Sequence, residues 1–204
     1  MVVIKVGTEK EVFEVYKGLL CHYSSYFRGA LEGDFKEDHD GVVELLEEDP
    51  KIFRLFYGWL YTRKLTYESV RFEKLTKLFI FGDIRGIPDL QNGAVDELIQ
   101  GYIERWNTPC GSLHHVYANT STGSPLRRLL IDLIMNSGII QDLLLPDGEF
   151  FQEYSLEFRD DLLYAYIKGY GPGRPGQCRN RYEWHEQLRS SKCKYHVHPT
   201  KPDA

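Results

Sequence analysis

The spacing of apolar residues changes along the chain, and the changes mark its elements. Residues 2–6 (VVIKV) are almost continuously β-branched, and 11–16 (EVFEVY) alternates charged with apolar residues. Both are strand patterns, and the Gly7-Thr8-Glu9-Lys10 turn between them predicts an opening β-hairpin. A short helical turn is expected from Lys17 to Cys21. Ser24 then offers a capping hydroxyl for a helix through about Leu31, which Gly33-Asp34 ends. The polar run FKEDHDG reads as a loop, and Val42-Val43-Glu44-Leu45 as a further short strand.

Helical spacing takes over from residue 49. Asp49-Pro50 is an N-cap followed by proline at the first helical position, and Ile52, Phe53, Phe56, Trp59 and Leu60 make a wide apolar stripe behind it. That helix is expected to end near Tyr61-Thr62, with a small strand at Leu65-Thr66-Tyr67. A second amphipathic helix is predicted from Phe72 to Phe81. Ile87-Pro88 interrupts, because the residue before proline avoids helical angles. A longer helix follows from Asp89, with Leu90, Ala94, Leu98 and Tyr102 on one side. Residues 107–124 read as a loop. Ser124-Pro125 starts the next helix, which Gly138 closes, and Ser155 is placed to cap one more. The Gly/Pro-rich run 169–176 (GYGPGRPG) is the sharpest break in composition, and little periodicity follows it. A hairpin and a strand early, with helices later, give an α+β class.

Composition adds exclusions. Of 204 residues, 14 % are aromatic, too many for a disordered chain. No run of 18 apolar residues exists to span a membrane. The N-terminus lacks the apolar segment of a secretory signal, and four scattered cysteines do not form a disulfide framework. These features predict a protein of the cytoplasm, the nucleus or both. The net charge of −5 argues against a surface devoted to nucleic acid. The charge is uneven, however. Residues 172–204 hold seven Lys/Arg against three acids, a local +4, and the remainder carries −9.

In their order, several short runs are familiar. They are the strand VVIKVG, then Phe13-Glu-Val-Tyr-Lys17, Leu19-Leu20, Ser24-Ser-Tyr-Phe27, Phe35-Lys-Glu37, Val42-Val-Glu-Leu45, Asp49-Pro-Lys-Ile-Phe53, Trp59-Leu-Tyr-Thr62, Gly82-Asp83 and Ile87-Pro-Asp-Leu90. Together they resemble the BTB (POZ) domain, and its fungal branch in particular. Residues 112–134, with Val116-Tyr-Ala-Asn-Thr120 and Leu126-Arg-Arg-Leu129, resemble the helical extension that follows the domain in many fungal members. Cys193-Lys-Tyr-His-Val-His198 resembles endings of the same group. The resemblance implies a small β-sheet flanked by a cluster of helices over residues 1–105. A helical extension over 106–171 and a basic tail over 172–204 would follow. It also implies a non-enzymatic protein-interaction module. In many relatives the domain is the adaptor that docks on the cullin scaffold of a ubiquitin ligase. Their hydrophobic-x-Glu motif corresponds here to Phe35 and Glu37, and the Tyr of their Tyr-Thr-Gly corresponds to Tyr61.

Two positions depart from the family pattern: Tyr16 stands where His is usual, and Arg63 where Gly is usual. The zinc-finger-associated branch dimerises through a helix and strand that precede the first strand. This chain begins at that strand, so the resemblance does not carry over the swapped homodimer. Self-assembly through the sheet edge and the helical extension is the alternative to an adaptor.

Other constellations are weaker. Gly171 to Gly176 spells G-x-G-x-x-G, but two prolines remove the amides and the helix start that a dinucleotide site needs. The acidic runs 37–40 and 47–49 suit solvated caps at helix starts. His114 and His115 sit in the predicted loop with no carboxylate partner in view. In the tail, Cys178, Cys193, His196 and His198 are four zinc-type ligands within 21 residues. Their C-x14-C-x2-H-x-H spacing is not that of a common finger. The alternative is a folded-back basic segment packing Trp184 and Tyr195 on the helical layer, with no cofactor. Nucleic acid binding by the tail would need more clustered cations.

Overall fold

Val2, Ile4 and Val6 point to one side of the first strand and are buried, as period-two alternation requires. The computed structural model describes residues 1–33, 36–65, 71–106, 110–137, 154–169 and 181–198. Strand β1 (Val2–Val6) pairs antiparallel with β2 (Glu11–Val15), with Ile4 opposite Phe13. It also pairs in parallel with β3 (Val42–Leu45), with Ile4 beside Val43. The order is β2-β1-β3. The tight turn after β1 depends on Gly7, whose φ is +74° and where a Cβ would stand 2.8 Å from the Pro50 ring.

Helices fill the rest of the described chain. They are α1 (Lys17–Tyr23), α2 (Ser25–Glu32), α3 (Lys36–Asp40), α4 (Pro50–Thr62), α5 (Phe72–Ile84) and α6 (Pro88–Arg105), then α7 (Leu113–Asn119), α8 (Pro125–Ser137), α9 (Leu156–Gly169) and α10 (Arg181–Ser190). Short 3-10 turns cover Cys110–Ser112 and Lys192–Tyr195. The expected caps are in place. Ser24 Oγ accepts the Phe27 amide at 3.1 Å, Asp49 the Lys51 amide at 2.8 Å and Ser155 the Phe158 amide at 3.3 Å.

Three segments differ from the pattern reading. The polar run after Phe35 is the short helix α3 rather than a loop. The segment 107–124, read as a loop, contains α7, whose buried Leu113, Val116 and Tyr117 follow helical spacing over too few turns to stand out. The tail forms α10, whose buried residues are Trp184 and Leu188. The expected strand at 65–67 and the glycine-rich run 171–176 fall wholly or mainly outside the described residues.

The chain divides into two compact units. The described residues of Met1–Thr66, Lys77–Ala94 and Val197–Ala204 make the first, and those of Tyr67–Thr76 and Val95–His196 the second. The first unit has one continuous core. Strand residues Ile4, Val6, Val15 and Val43 meet Phe27 and Leu31 of α2, the α4 stripe, and Leu78 and Phe81 of α5. Its centre is aromatic: Phe56 packs 5.0 Å from Phe81 and 5.5 Å from Phe53 between ring centres. Burying such rings supplies the non-directional drive for folding, about 25 cal/mol per Å2 of apolar surface. The second unit is wholly helical among the described residues. Its core holds Tyr102 of α6, Leu130 and Leu133 of α8, Phe158 of α9, Trp184 of α10 and Tyr195.

Candidate interaction surface

The first unit places the sequence-predicted residues on separate elements. Tyr61 lies in the last turn of α4 and is 42 % exposed. Its hydroxyl accepts the Tyr16 amide at 3.4 Å. Its ring lies 5.0 Å from that of Tyr57 and 6.4 Å from that of Tyr16. Partial burial raises its pKa, and the neighbouring phenols of Tyr57 and Tyr16 add to this, so it stays a neutral phenol. Tyr16, where the family usually has His, is itself strongly exposed, so the junction after β2 presents a cluster of tyrosine rings.

Glu37 lies on α3 and is half-buried. It lines a shallow depression of about 340 Å3 with Lys5, Asp40, Val42 and Glu44. Lys10 and Lys5 hold the Glu44 carboxyl below its usual range, through ion pairs of 3.3 and 3.5 Å. Glu37 thus belongs to the β1–β3 side of the sheet, while Tyr61 touches residues at the far end of β2. Phe35 lies outside the described residues.

Arg63, in the family's glycine position, is the residue after α4. It has φ +58° and ψ +18°, the left-handed conformation in which glycine commonly ends a helix. Its amide donates to the Trp59 carbonyl at 2.7 Å. Its guanidinium stacks on Trp59 and Tyr23 and pairs with Asp89 at 2.7 Å. The geometry that usually selects glycine is therefore kept, with a side chain that binds its surroundings.

Of the acidic runs, Glu47-Glu48-Asp49 is structural at two positions. Asp49 caps α4. Glu48 pairs with Arg85 at 2.7 Å, yet burial outweighs this cation and raises its pKa. Arg85 also lies over the rings of Tyr26 and Phe81.

In the second unit, His114 and His115 are on α7, not in a loop. Trp184 and Tyr195 are buried, as the packing reading of the tail expects. The Tyr195 hydroxyl donates to Asp132 at 2.7 Å. Among the zinc-type residues, Cys193 and His198 are exposed, and His196 Nε2 lies 3.3 Å from Asp96, which also pairs with Lys192 at 3.2 Å. Cys178 lies outside the described residues. Among the described residues no group of three or more His, Cys, Asp or Glu is placed to hold a metal. No helix among them is long and apolar enough to cross a membrane.

Pattern reading overlooked Arg127. It is 4 % exposed, and its guanidinium donates to Glu157 at 2.6 Å, to Thr120 Oγ1 at 2.9 Å, to the Tyr117 carbonyl at 2.9 Å and to the Thr120 carbonyl. The Tyr117 hydroxyl donates to Asp161 at 2.9 Å, and burial together with that carboxylate pushes its pKa far up. The only signal in the sequence was an arginine inside an apolar helical stripe.

The described residues thus form a small mixed sheet with a helical cluster that exposes aromatic side chains. Residues 2–101 match the BTB/POZ domain family, and this stretch of the chain is a BTB/POZ domain. BTB/POZ domains mediate protein–protein interaction. No curated protein matches the chain.

Proposed function

We propose that the BTB/POZ domain of this chain is an adaptor that docks on a cullin scaffold through Phe35, Glu37 and Tyr61. The observation that supports this reading is Tyr61. A large aromatic side chain, half-exposed and flanked by two further tyrosines, is the kind of anchor that dominates interface energetics. Glu37 adds a carboxylate at the position of the relatives' hydrophobic-x-Glu motif. The assignment of the three residues to one interface comes from the family resemblance. The test is titration calorimetry of the full chain with a recombinant cullin N-terminal region. Saturable binding that weakens at least about tenfold in Phe35→Ala/Glu37→Ala and again in Tyr61→Ala supports the proposal. No binding, or binding indifferent to these substitutions, overturns it.

A second reading is self-assembly. Strand β2 has β1 on one side and no strand on the other among the described residues, and Val12 on it is strongly exposed. An open edge invites pairing with another chain. Light scattering over a range of concentrations separates the two readings, since a strict monomer rejects self-assembly.

A further inference from the structure

We propose that a cleft between α8 and α9 binds an acidic segment of a partner protein that inserts an apolar side chain. The cleft has a volume of about 400 Å3. That is near the lower end for ligand pockets and suits one or two side chains better than an extended cofactor. Its walls are apolar where Ile131, Ala165 and the Tyr164 ring meet, and its rim carries Arg128, Lys168 and Lys194. Leu163 and Ile167, on the next face of α9, are also exposed, so the apolar surface continues past the cleft mouth. A partner chain lying along α9 can cover both, and a small free ligand cannot.

Charge selects the partner. Four cations and two carboxylates line the cleft. Arg127 is matched by Glu157, Lys194 by Asp132 at 2.6 Å, and Asp161 accepts the Tyr117 hydroxyl. Arg128 is exposed and has no carboxylate within ion-pair distance among the described residues. Lys168 Nζ lies 4.7 Å from the ring centre of Tyr164, and both residues line the cleft. Arg128 therefore presents an uncommitted positive charge beside an apolar floor, which complements a carboxylate flanking an apolar residue. A nucleic acid fits less well. Its phosphates would meet Asp132 and Asp161 between the cations, and binding through phosphates relies on many unopposed cations.

This site lies in the second unit and is independent of cullin docking. The test begins with selection of a random 12-residue peptide library on the full chain, followed by fluorescence anisotropy of an enriched peptide. Enriched sequences are expected to combine an apolar residue with flanking Asp or Glu. Replacing those acids by Asn and Gln should weaken binding about tenfold or more, as should Arg128→Glu with Lys168→Glu, two exposed positions. Ala165→Trp, which fills the cleft, should abolish binding, and circular dichroism and melting report whether each variant is folded. Binding of the cullin region should be unchanged in both protein variants. The proposal is overturned if no peptide is enriched or if the enriched peptides lack acids. Equal binding by the folded charge-reversed variant overturns it too, as does equally effective competition by polyglutamate or single-stranded DNA.

Discussion

The guanidinium of Arg63 lies 3.9 Å from the ring centre of Trp59, one helical turn before it. The Tyr23 ring is 4.2 Å away, so the cation stacks on two aromatic side chains. This contact explains how a residue with a Cβ occupies a left-handed position. Leaving the αL region would free about 1 kcal/mol, but the stack is worth about 0.5–2 kcal/mol. Two substitutions separate the terms. Arg63→Ala keeps the strained backbone and loses the stack, so it should destabilise by about 1–2 kcal/mol. Arg63→Gly loses the stack but relieves the backbone, so it should cost about 1 kcal/mol less than the alanine variant. Urea denaturation of the two variants checks the order. Alanine equal to or better than glycine would show that the backbone at this position carries no strain.

Such a trade explains what could be read from the sequence and what could not. The strands, the caps at Ser24, Asp49 and Ser155, and the α4 stripe were legible, because each is a local choice that agrees with the fold. The left-handed state of Arg63 was not, since it depends on Tyr23 and Asp89, 40 and 26 positions away. Helix α7 was hidden by its length, and α10 by a surface so polar that only two buried residues mark it. Tyr61 could be singled out through the resemblance. The cleft could not, because Ile131, Ala165 and Lys194 meet only after folding.

Gly86 has a comparable role at the start of α2. Its φ is +58°, and a Cβ there would stand 2.0 Å from Ser25 Oγ. Its carbonyl accepts the Ser25 amide at 3.3 Å. Gly86→Ala should therefore destabilise the domain by roughly 1–3 kcal/mol, from backbone strain plus the collision. Adding Ser25→Ala removes the hydroxyl and should restore only part of the loss, since the backbone term remains. Full restoration in the double variant, measured by thermal melting, would contradict the strain argument.

The tail helix should loosen on acidification. His185 on α10 packs 5.2 Å from the Trp106 ring and 6.4 Å from the Tyr102 ring, and among the described residues its buried Nε2 has no hydrogen-bond partner. Burial, followed by the charges of Arg181 and Arg189 and opposed by Glu186, lowers its pKa from the ordinary 6.5. The folded state thus holds the neutral imidazole, while the unfolded chain protonates through the mid-6s. The stability contributed is present above that pH and falls as the pH drops through 6.5. Emission from the neighbouring Trp106 and Trp184 should report the change between pH 7.5 and 5.5. The His185-dependent part of it should vanish in His185→Gln, and an identical profile in that variant would refute the assignment.

Arg127 and Arg128 are sequence neighbours with opposite expected costs. Arg127 is sealed into α8 with four acceptors, and its plane lies 4.3 Å from the Tyr117 ring centre. Removing it by Arg127→Ala strands the carbonyls of Tyr117 and Thr120 and opens a cavity, a loss of about 3–5 kcal/mol for breaking a buried charged network. Lysine is no substitute, because a point charge cannot serve a planar set of acceptors, so Arg127→Lys should recover less than half of that loss. Arg128→Ala should change stability by less than about 0.5 kcal/mol, as exposed positions usually do. Chemical denaturation of the three variants tests the contrast. If Arg127→Ala were as mild as Arg128→Ala, the network would add no stability to the helical unit. If Arg128→Ala were as costly, that residue would be part of the framework rather than of a surface able to meet a partner.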